Sequence, residues 1–344
     1  MRRLLLTIAV IAAPLTAQAS VVTDAFTSFW ALGDSLTDDG NLPLAGFAAG
    51  RPGAPISPVA GQAAYYAPGD APRFSNGPTF AEYIAAAFEA AGRPTGNLAH
   101  GGAEAAEPAV TGDPTPGLAA QRQDLAGAAA SFGARPLVSI LMGANDIFAG
   151  LASPDPIAKT LTAAVRAADA VAETASLLAT QGVRDVLIAN LPDLGATPAF
   201  ALFQPQVRFL ASAATAAYNT RLAANIAGLE AGGLNVIGLD LFGQLKGIIA
   251  DPAAFGYGNA TLPCLFPNAA AAGALGQAPV CTDEQSLSRL FFDAVHPNLV
   301  AHAQFGQAAL QRIEAELAPI PLAGSLPLLV TGLGAVASLR RRRA

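Results

Sequence analysis

The chain has 344 residues, of which 52% are hydrophobic and only 13% are charged. Six of its 19 basic residues lie in the two terminal segments, which contain no acidic residue, so 13 basic residues face 25 acidic ones in the rest of the chain. This balance excludes a basic surface for nucleic acid and argues against electrostatic adhesion to anionic lipid.

The N-terminus is typical of a signal peptide. Arg2 and Arg3 precede an apolar stretch, residues 4–15, that is too short to span a membrane comfortably. Ala17-Gln18-Ala19 then has the small-x-small form of a cleavage site. We therefore predict a signal peptide over residues 1–19 and export of the mature chain, with an uncleaved anchor helix as the alternative.

The body, residues 20–318, alternates apolar runs with helical patterns and is long enough for one large domain. The predicted strands are 28–32, 96–99, 136–142, 185–190 and 235–239, and the predicted helices are 79–91, 117–129, 157–181, 206–231 and 304–316. Continuous apolar strands that end in glycine or polar turns are typical of a buried parallel sheet. The alternation predicts right-handed crossovers and an α/β fold, a three-layer α/β/α sandwich with a five-stranded parallel sheet.

Two regions, 42–76 and 251–286, do not fit this alternation and are predicted to be long loops. Ordered loops of such length are usually functional, and we expect these two to shape a binding pocket. The second contains the two cysteines of the chain, Cys264 and Cys281. In an oxidising compartment this pair predicts one disulfide, because two cysteines without a nearby histidine rarely bind a metal ion.

The C-terminal residues 319–344 have the composition of a membrane anchor. Pro319 and Pro321 break the preceding helix, and residues 322–339 carry no charge. An apolar stretch of about 18 residues can span a bilayer. The four arginines at 340–343 would keep its end in the cytoplasm, with the body outside the inner membrane.

This tail resembles the bacterial PEP-CTERM-like sorting signals, particularly the subtype built around Val-Pro-Leu-Pro-Ala. The corresponding stretch here reads "APIPLAGSLPLL". The resemblance implies a sorting transpeptidase as a partner and a periplasmic or cell-surface location in a Gram-negative bacterium. The alternative is a plain C-terminal anchor in the inner membrane.

Four polar motifs fall at the predicted carboxyl ends of strands or just before the last helix. They are Gly33-Asp34-Ser35-Leu36, the stretch 97–103, Gly143-Ala144-Asn145-Asp146 and the stretch 293–297. Ligands of open parallel sheets bind beyond the carboxyl ends of the strands. The motifs supply a hydroxyl, a glycine amide, a carboxamide, an imidazole and a carboxylate, which are the groups that acyl transfer needs.

These motifs resemble blocks I, II, III and V of the GDSL or SGNH hydrolase family of esterases and lipases. "GDSLTDDGN" at 33–41 is close to the family's first block, and "PRFSNGP" at 72–78 recurs in its secreted phospholipase-like and autotransporter-esterase branch. The resemblance covers roughly residues 27–316, with the blocks in order. It implies a flavodoxin-like fold, hydrolysis of carboxylic esters and no requirement for a cofactor.

The resemblance also implies residue roles. Ser35 is the expected nucleophile, His296 the base that takes its proton, and Asp293 the acid that orients the imidazole. The expected oxyanion hole consists of the backbone N–H groups of Ser35 and Gly102 and the side-chain amide of Asn145. Gly102 is preferred to Gly101 because the family pattern has this glycine five positions after the block II asparagine, here Asn97.

The acidic residues near the nucleophile receive supporting roles. We expect Asp34 to accept amides of the turn, and Asp38 and Asn41 to hold the following loop. Asp39 is interpreted as solvated. Asp146 is expected to cap a helix or to brace the neighbouring Asn145.

The remaining histidines are interpreted without a catalytic role. His100 lies at a variable position of block II, and His302 is expected to be packed or hydrogen-bonded in a helix. Three histidines without clustered acids or cysteines predict no metal site. Asp193 is interpreted as a turn residue.

Together these observations predict an exported, monomeric, membrane-tethered serine esterase or lipase for lipid, phospholipid or short-chain acyl esters. Two alternatives stay open. One is a deacetylase of extracellular polysaccharide, which fits the surface-sorting tail. The other is a non-catalytic, surface-anchored matrix or adhesion protein that retains the fold.

Overall fold

A five-stranded parallel sheet forms the centre of the computed structural model, which describes residues 21–41, 73–106 and 115–318. The predicted signal peptide, the C-terminal tail and most of the first long loop lie outside these ranges. The strands are β1 (Ser28–Gly33), β2 (Thr95–Asn97), β3 (Pro136–Leu141), β4 (Asp185–Ala189) and β5 (Asn235–Leu239), in the order β2-β1-β3-β4-β5. This arrangement confirms the predicted α/β fold class.

The strands form where continuous apolar runs can be buried on both faces. Every residue of β1, β3 and β4 is buried. The edge strand β2 is shorter than predicted and ends at Asn97. The Asn97 side chain accepts a hydrogen bond of 2.9 Å from the backbone N–H of Ala99, which interrupts the regular strand, although Leu98 and His100 still donate to the carbonyls of Ala31 and Gly33 in β1.

Helices cover the sheet in two groups. The helices are α1 (Phe80–Ala90), α2 (Leu118–Gly127), α3 (Ala144–Leu151), α4 (Pro156–Thr180), α5 (Arg208–Ala231), α6 (Leu241–Ala250), α7 (Ala269–Ala274), α8 (Asp283–Ser288) and α9 (Leu299–Leu317). Helix α4 packs against α2, α3 and α5, whereas α1 packs against α9. Right-handed crossovers on this strand order put the two groups on opposite faces of the sheet.

The observed helix starts follow their caps rather than apolar periodicity. Helix α9 begins five residues before the predicted start, because the Asn298 side chain accepts the N–H of Ala301 at 2.9 Å. Helix α1 begins with a capping box formed by Thr79 and Glu82. Helices α3 and α6 were not predicted, since both are short and follow a strand almost at once.

The second long region contains more regular structure than the predicted loop. It includes α7, most of α8 and the strand β6 (Asn259–Pro263), which pairs in parallel with β7 (Arg289–Phe291). The structure pairs Cys264 with Cys281, with Cα atoms 4.8 Å apart. The buried Arg289 donates to the carbonyl of Pro263 and to Gln277 Oε1. These contacts attach the region to the domain.

Across the described ranges, every helix is either too short or too polar to cross a bilayer.

Candidate active site

A serine, a histidine and an aspartate form a hydrogen-bonded series at the carboxyl end of β1. Ser35 Oγ lies 2.8 Å from His296 Nε2, and His296 Nδ1 lies 2.7 Å from Asp293 Oδ2. The three residues are 8%, 3% and 9% exposed. The structure therefore brings together three residues that sequence analysis assigned to one site, although 261 positions separate the serine from the histidine.

The turn before α9 determines the direction of the imidazole. The other carboxylate oxygen of Asp293 accepts the backbone N–H groups of Val295 and His296, at 2.9 and 2.7 Å. One carboxylate thus holds both the backbone and the ring of the histidine. Such a contact favours the tautomer with a proton on Nδ1 and a free electron pair on Nε2.

The segment "RFSNGP" braces the histidine from the other side, a role that sequence analysis did not assign. The Phe74 ring lies 5.2 Å from the His296 ring, centroid to centroid. Ser75 Oγ donates to the carbonyl of Pro297 at 3.0 Å, and Asn76 Oδ1 accepts the N–H of Leu299 at 2.8 Å. In the sequence this motif indicated the family, but it did not predict which residues the segment would contact.

The sequence predicts three N–H groups as donors to a negatively charged oxygen, those of Ser35, Gly102 and Asn145. The backbone N–H groups of Ser35 and Gly102 have no acceptor within the described residues. Asn145 Nδ2 donates to the carbonyl of Ala103 at 2.9 Å, which orients the amide and leaves its second hydrogen available. Gly102 has a φ of 80°, which glycine adopts without strain.

The adjacent Gly101 is used differently. Its backbone N–H donates to Asp38 Oδ2 at 2.7 Å, so this amide is not available to a substrate. A Cβ on Gly101 would lie 2.1 Å from the Phe74 ring, which excludes a side chain there. The structure thus distinguishes the two glycines on which the expected oxyanion hole depends.

Asp38 and Asn41 connect the loop after Ser35 to the loop that carries Gly102. Asp38 Oδ1 accepts the N–H groups of Gly40 and Asn41, at 2.8 and 2.7 Å. The Asn41 side chain donates to the carbonyls of Asn97 and Ala99, at 2.9 and 3.0 Å. The two residues therefore hold the backbone of both loops.

Asp146 contacts the loop that follows Gly102. It lies in the first turn of α3, and its two carboxylate oxygens accept the N–H groups of Ala105 and Ala106, at 2.8 and 2.9 Å. The expectation that it caps its helix or braces Asn145 is therefore incomplete. It fixes the chain that follows the Gly102 turn.

Burial raises the pKa of two acids near the nucleophile. The pKa of Asp34 rises from 3.8 to about 7 because the residue is buried, and its Oδ2 has no hydrogen-bond partner within the described residues. Its Oδ1 accepts the N–H of Leu36 in the turn at 3.1 Å. Burial and the charge of Glu82 raise the pKa of Asp39 to about 6. The interpretation of Asp39 as solvated was wrong, since it is half-buried.

His100 and Asp193, for which no catalytic role was predicted, form hydrogen bonds with nearby groups. His100 Nδ1 lies 2.9 Å from the carbonyl of Leu98. Asp193 Oδ1 accepts from Gly195 N–H and Ser212 Oγ, at 3.0 and 2.8 Å. Among the described residues, no group of three or more His, Cys, Asp or Glu side chains is arranged to hold a metal ion.

Gln121 is a site residue that sequence analysis missed. Its side chain accepts the N–H of Gly33 and donates to the carbonyl of Gly33, each at 2.9 Å. It is fully buried and fixes the end of β1 next to the nucleophile turn. The sequence around this glutamine has no motif from which its contact with Gly33 could be predicted.

An apolar pocket that is open to solvent lies beside Ser35. Besides the residues of the site, its lining includes Leu36, Phe148, Leu194, Leu241, Leu245 and Phe305. An apolar lining with few polar groups is typical of sites that bind small organic ligands or acyl chains.

Comparison with known proteins gives three findings. The model of the family described as GDSL-like lipase/acylhydrolase matches residues 30–309. The phosphatidylcholine-sterol acyltransferase of Aeromonas hydrophila is 26% identical over 346 aligned residues, which cover 88% of this chain and 94% of that protein. A solved structure from Parabacteroides merdae, described as a GDSL-like lipase, is 12% identical with a TM-score of 0.42, covering 83% of this chain and 94% of that one.

Proposed function

The chain belongs to the GDSL-like lipase/acylhydrolase family, and from that premise we propose that it is an exported serine hydrolase of carboxylic esters. The contact that carries the proposal is the 2.8 Å approach of Ser35 Oγ to His296 Nε2, with Asp293 at the other ring nitrogen. A serine hydroxyl is a poor nucleophile unless a base takes its proton. We assign these three residues as nucleophile, general base and orienting acid.

The first step forms an acyl-enzyme. Ser35 Oγ attacks the ester carbonyl, and its proton passes to His296 Nε2. The imidazolium is stabilised by the Asp293 carboxylate and then protonates the leaving alcohol. The bond between the carbonyl carbon and the alcohol oxygen then breaks. The alcohol leaves, and the acyl group stays bound to Ser35 Oγ.

We assign the N–H groups of Ser35, Gly102 and Asn145 to the negative oxygen of the tetrahedral intermediate. Donors that are held in place before the reaction stabilise this charge without reorganisation. The contacts of Asp38 and Asp146 with the neighbouring loops support this assignment, because they fix the chain on either side of Gly102.

The second step hydrolyses the acyl-enzyme. His296, now neutral, takes a proton from water, and the hydroxide attacks the acyl carbonyl at the same oxyanion site. Collapse of the intermediate returns the proton to Ser35 and releases a carboxylic acid. The proposed reaction uses the ester, one water molecule and groups of this chain.

The pocket favours an apolar substrate. Its aliphatic and aromatic lining suits an acyl chain or a lipid better than the hydroxyl-rich surface of an acetylated polysaccharide. We therefore prefer lipid, phospholipid or short-chain acyl esters to a polysaccharide deacetylation. The assembled Ser35–His296–Asp293 contacts also argue against a non-catalytic matrix protein.

A second candidate is acyl transfer to an alcohol instead of water. It is favoured by the similarity of almost the whole chain to a phosphatidylcholine-sterol acyltransferase. The chemistry differs only in the acceptor that attacks the acyl-enzyme. An apolar pocket beside Ser35 would increase the local concentration of an apolar alcohol over that of water.

The cellular setting remains a proposal drawn from the two ends of the chain. Residues 1–19 would be removed on export, and residues 319–344 would tether the enzyme to the inner membrane, at least transiently. The Cys264–Cys281 pair fits an oxidising compartment as one disulfide. We expect a sorting transpeptidase to act on the tail and the body to work as a monomer.

The test is hydrolysis of p-nitrophenyl esters from acetate to palmitate and of phosphatidylcholine by the exported protein. We expect activity with a maximum beyond acetate, and its loss in Ser35→Ala. Ser131→Ala is the matched control, because Ser131 is exposed and lies before β3, at the opposite edge of the sheet. Equal rates for wild type and Ser35→Ala on every ester would reject the proposal. Addition of a long-chain alcohol and detection of the new ester tests the transfer reaction.

A further inference from the structure

His302 is a polar side chain of the apolar pocket that has no part in the proposed mechanism. Among the described residues of the lining, the other polar side chains are those of Asp34, Ser35, Asn145, Thr197 and His296. The Thr197 hydroxyl donates to the carbonyl of Leu194 at 2.7 Å. His302 has a donor for which the described residues provide no acceptor.

The contacts of His302 determine which ring nitrogen carries the proton. Its Nδ1 accepts the backbone N–H of Phe80, the first residue of α1, at 3.2 Å. A neutral imidazole that accepts at Nδ1 carries its hydrogen on Nε2. No acceptor for Nε2–H occurs within the described residues, and Nε2 is not one of their fully buried atoms without a partner. This nitrogen therefore keeps accessible surface, and His302 belongs to the pocket lining, where a ligand could accept its hydrogen.

His302 is unsuited to transfer protons during the reaction. Burial lowers the pKa of His302 from 6.5 to about 3, and the charge of His296 lowers it further in the same direction. The ring is therefore neutral at pH values above about 3 and carries its one hydrogen on Nε2.

We propose that His302 is a specificity-determining residue, whose Nε2–H donates a hydrogen bond to an additional oxygen atom of the ester held in the pocket. The inference rests on the proposed esterase function. The preferred substrates would carry an ether, hydroxyl or second ester oxygen a few atoms from the scissile bond. This oxygen could belong to the acyl chain or to the alcohol, and both sources offer the same acceptor.

The experiment compares esters of equal length with and without that oxygen. The acyl arm uses p-nitrophenyl hexanoate and its 3-oxa, 4-oxa and 5-oxa analogues, in which one CH2 group is replaced by an ether oxygen. The alcohol arm uses hexyl butyrate and the corresponding oxa-hexyl butyrates. For each pair, the ratio of kcat/KM values is measured for the wild type and for two variants.

The two variants separate the two nitrogens of His302. In His302→Asn the side-chain oxygen can replace Nδ1 as the acceptor for Phe80, but the pocket donor is lost. In His302→Gln the amide nitrogen can replace Nε2, but the acceptor for Phe80 is lost. We expect the wild type to prefer an oxygenated ester, with the preference reduced about three- to ten-fold in His302→Asn and largely kept in His302→Gln. Thermal stability should fall more in His302→Gln.

Each outcome decides a different question. If the wild type prefers no oxygenated ester in either arm, the inference is wrong while the esterase function stands, and this result needs no variant to fold. An equal preference in wild type and His302→Asn likewise overturns it and leaves His302 as a support for α1. If the wild type hydrolyses no ester at all, the proposed function itself fails.

Discussion

Buried carboxylates make different contacts at the two ends of the parallel strands, which we call the carboxyl edge and the amino edge of the sheet. At the carboxyl edge, Asp34, Asp38, Asp146 and Asp293 each accept backbone N–H groups of the loops around Ser35. At the amino edge, Asp185 is bound by side chains, with two contacts of 2.9 and 2.8 Å to Arg135 and one of 2.8 Å to Asn235.

The carboxylates at the carboxyl edge position loops, whereas Asp185 at the amino edge links strands. A carboxylate that holds backbone amides determines where a loop lies and therefore where its reacting groups point. A carboxylate bound by an arginine joins neighbouring strands whose positions the sheet already determines. Substitutions at the first edge should therefore change catalysis, whereas those at the second should change only stability.

The largest effect is expected for Asp293→Asn. The amide can still accept the two backbone N–H groups, but its nitrogen would face His296 Nδ1 and favour the wrong tautomer. We expect kcat to fall by about 10³- to 10⁴-fold. The thermal midpoint should change little. Steady-state hydrolysis of a p-nitrophenyl ester measures this, with Asp193→Asn as the control, and a fall of less than ten-fold would contradict the assigned role.

The next effect concerns Asp34 and pH. Its pKa is raised in the folded state from 3.8 to about 7, so the folded protein keeps a proton that the unfolded chain releases. The stability contributed by this neutral group is complete below about pH 3.8 and is lost as the pH rises through about 7. Asp34→Asn removes the titration.

We therefore expect the free energy of unfolding of Asp34→Asn, relative to wild type, to increase by on the order of 3 kcal/mol between pH 4 and pH 8. Urea denaturation across this range measures the difference. The groups that interact with Asp34 include His296 and Asp146, so the same series with His296→Gln separates their contribution. Parallel curves for wild type and Asp34→Asn would show that the carboxyl is ionised at neutral pH.

A smaller effect is expected for Asp38→Asn. One amide group cannot accept from Gly101 while its oxygen accepts from Gly40 and Asn41, so the loop with Gly102 should loosen. We expect kcat to fall about ten-fold with little change in KM, and stability to fall by about 1–3 kcal/mol. Asp155→Asn, at an exposed acid, controls for the lost charge. An unchanged kcat with lowered stability would show that Asp38 stabilises the fold without positioning the reacting groups.

The smallest effect is expected at the other edge, for Arg135→Gln. The Arg135 side chain is 42% exposed, so solvent weakens its ion pair with Asp185. We expect stability to fall by about 1 kcal/mol and kcat to stay at the wild-type value. Chemical denaturation and ester hydrolysis of the same preparation provide both numbers. A changed kcat would contradict the distinction between the two edges.

The fold and the reacting groups could be predicted because their signals are local in the chain. The apolar run that becomes β1 ends at Gly33, and the polar turn with Ser35 follows at once. Each of the other motifs likewise follows a strand or precedes a helix. Parallel strands bring such ends to one edge, so their order in the chain is sufficient to group them.

The supporting contacts could not be predicted, because each joins residues distant in sequence through atoms that no pattern marks. Gln121 reaches Gly33 across 88 positions, and His302 reaches Phe80 across 222. Phe74 was part of a recognised motif, but its contact with His296 depends on how two loops pack. The early start of α9 depends on a single cap at Asn298, which outweighed the apolar periodicity of the helix.

The distance in sequence between Ser35 and His296 has a consequence for biosynthesis. The serine is completed with the first strand, whereas the histidine follows 261 residues later, after the last strand. A nascent or C-terminally truncated chain therefore contains the proposed nucleophile without its base. The proposed hydrolase would remain inactive until nearly the whole domain has been synthesised and folded, which would protect the cell that makes it from premature attack on its own lipids.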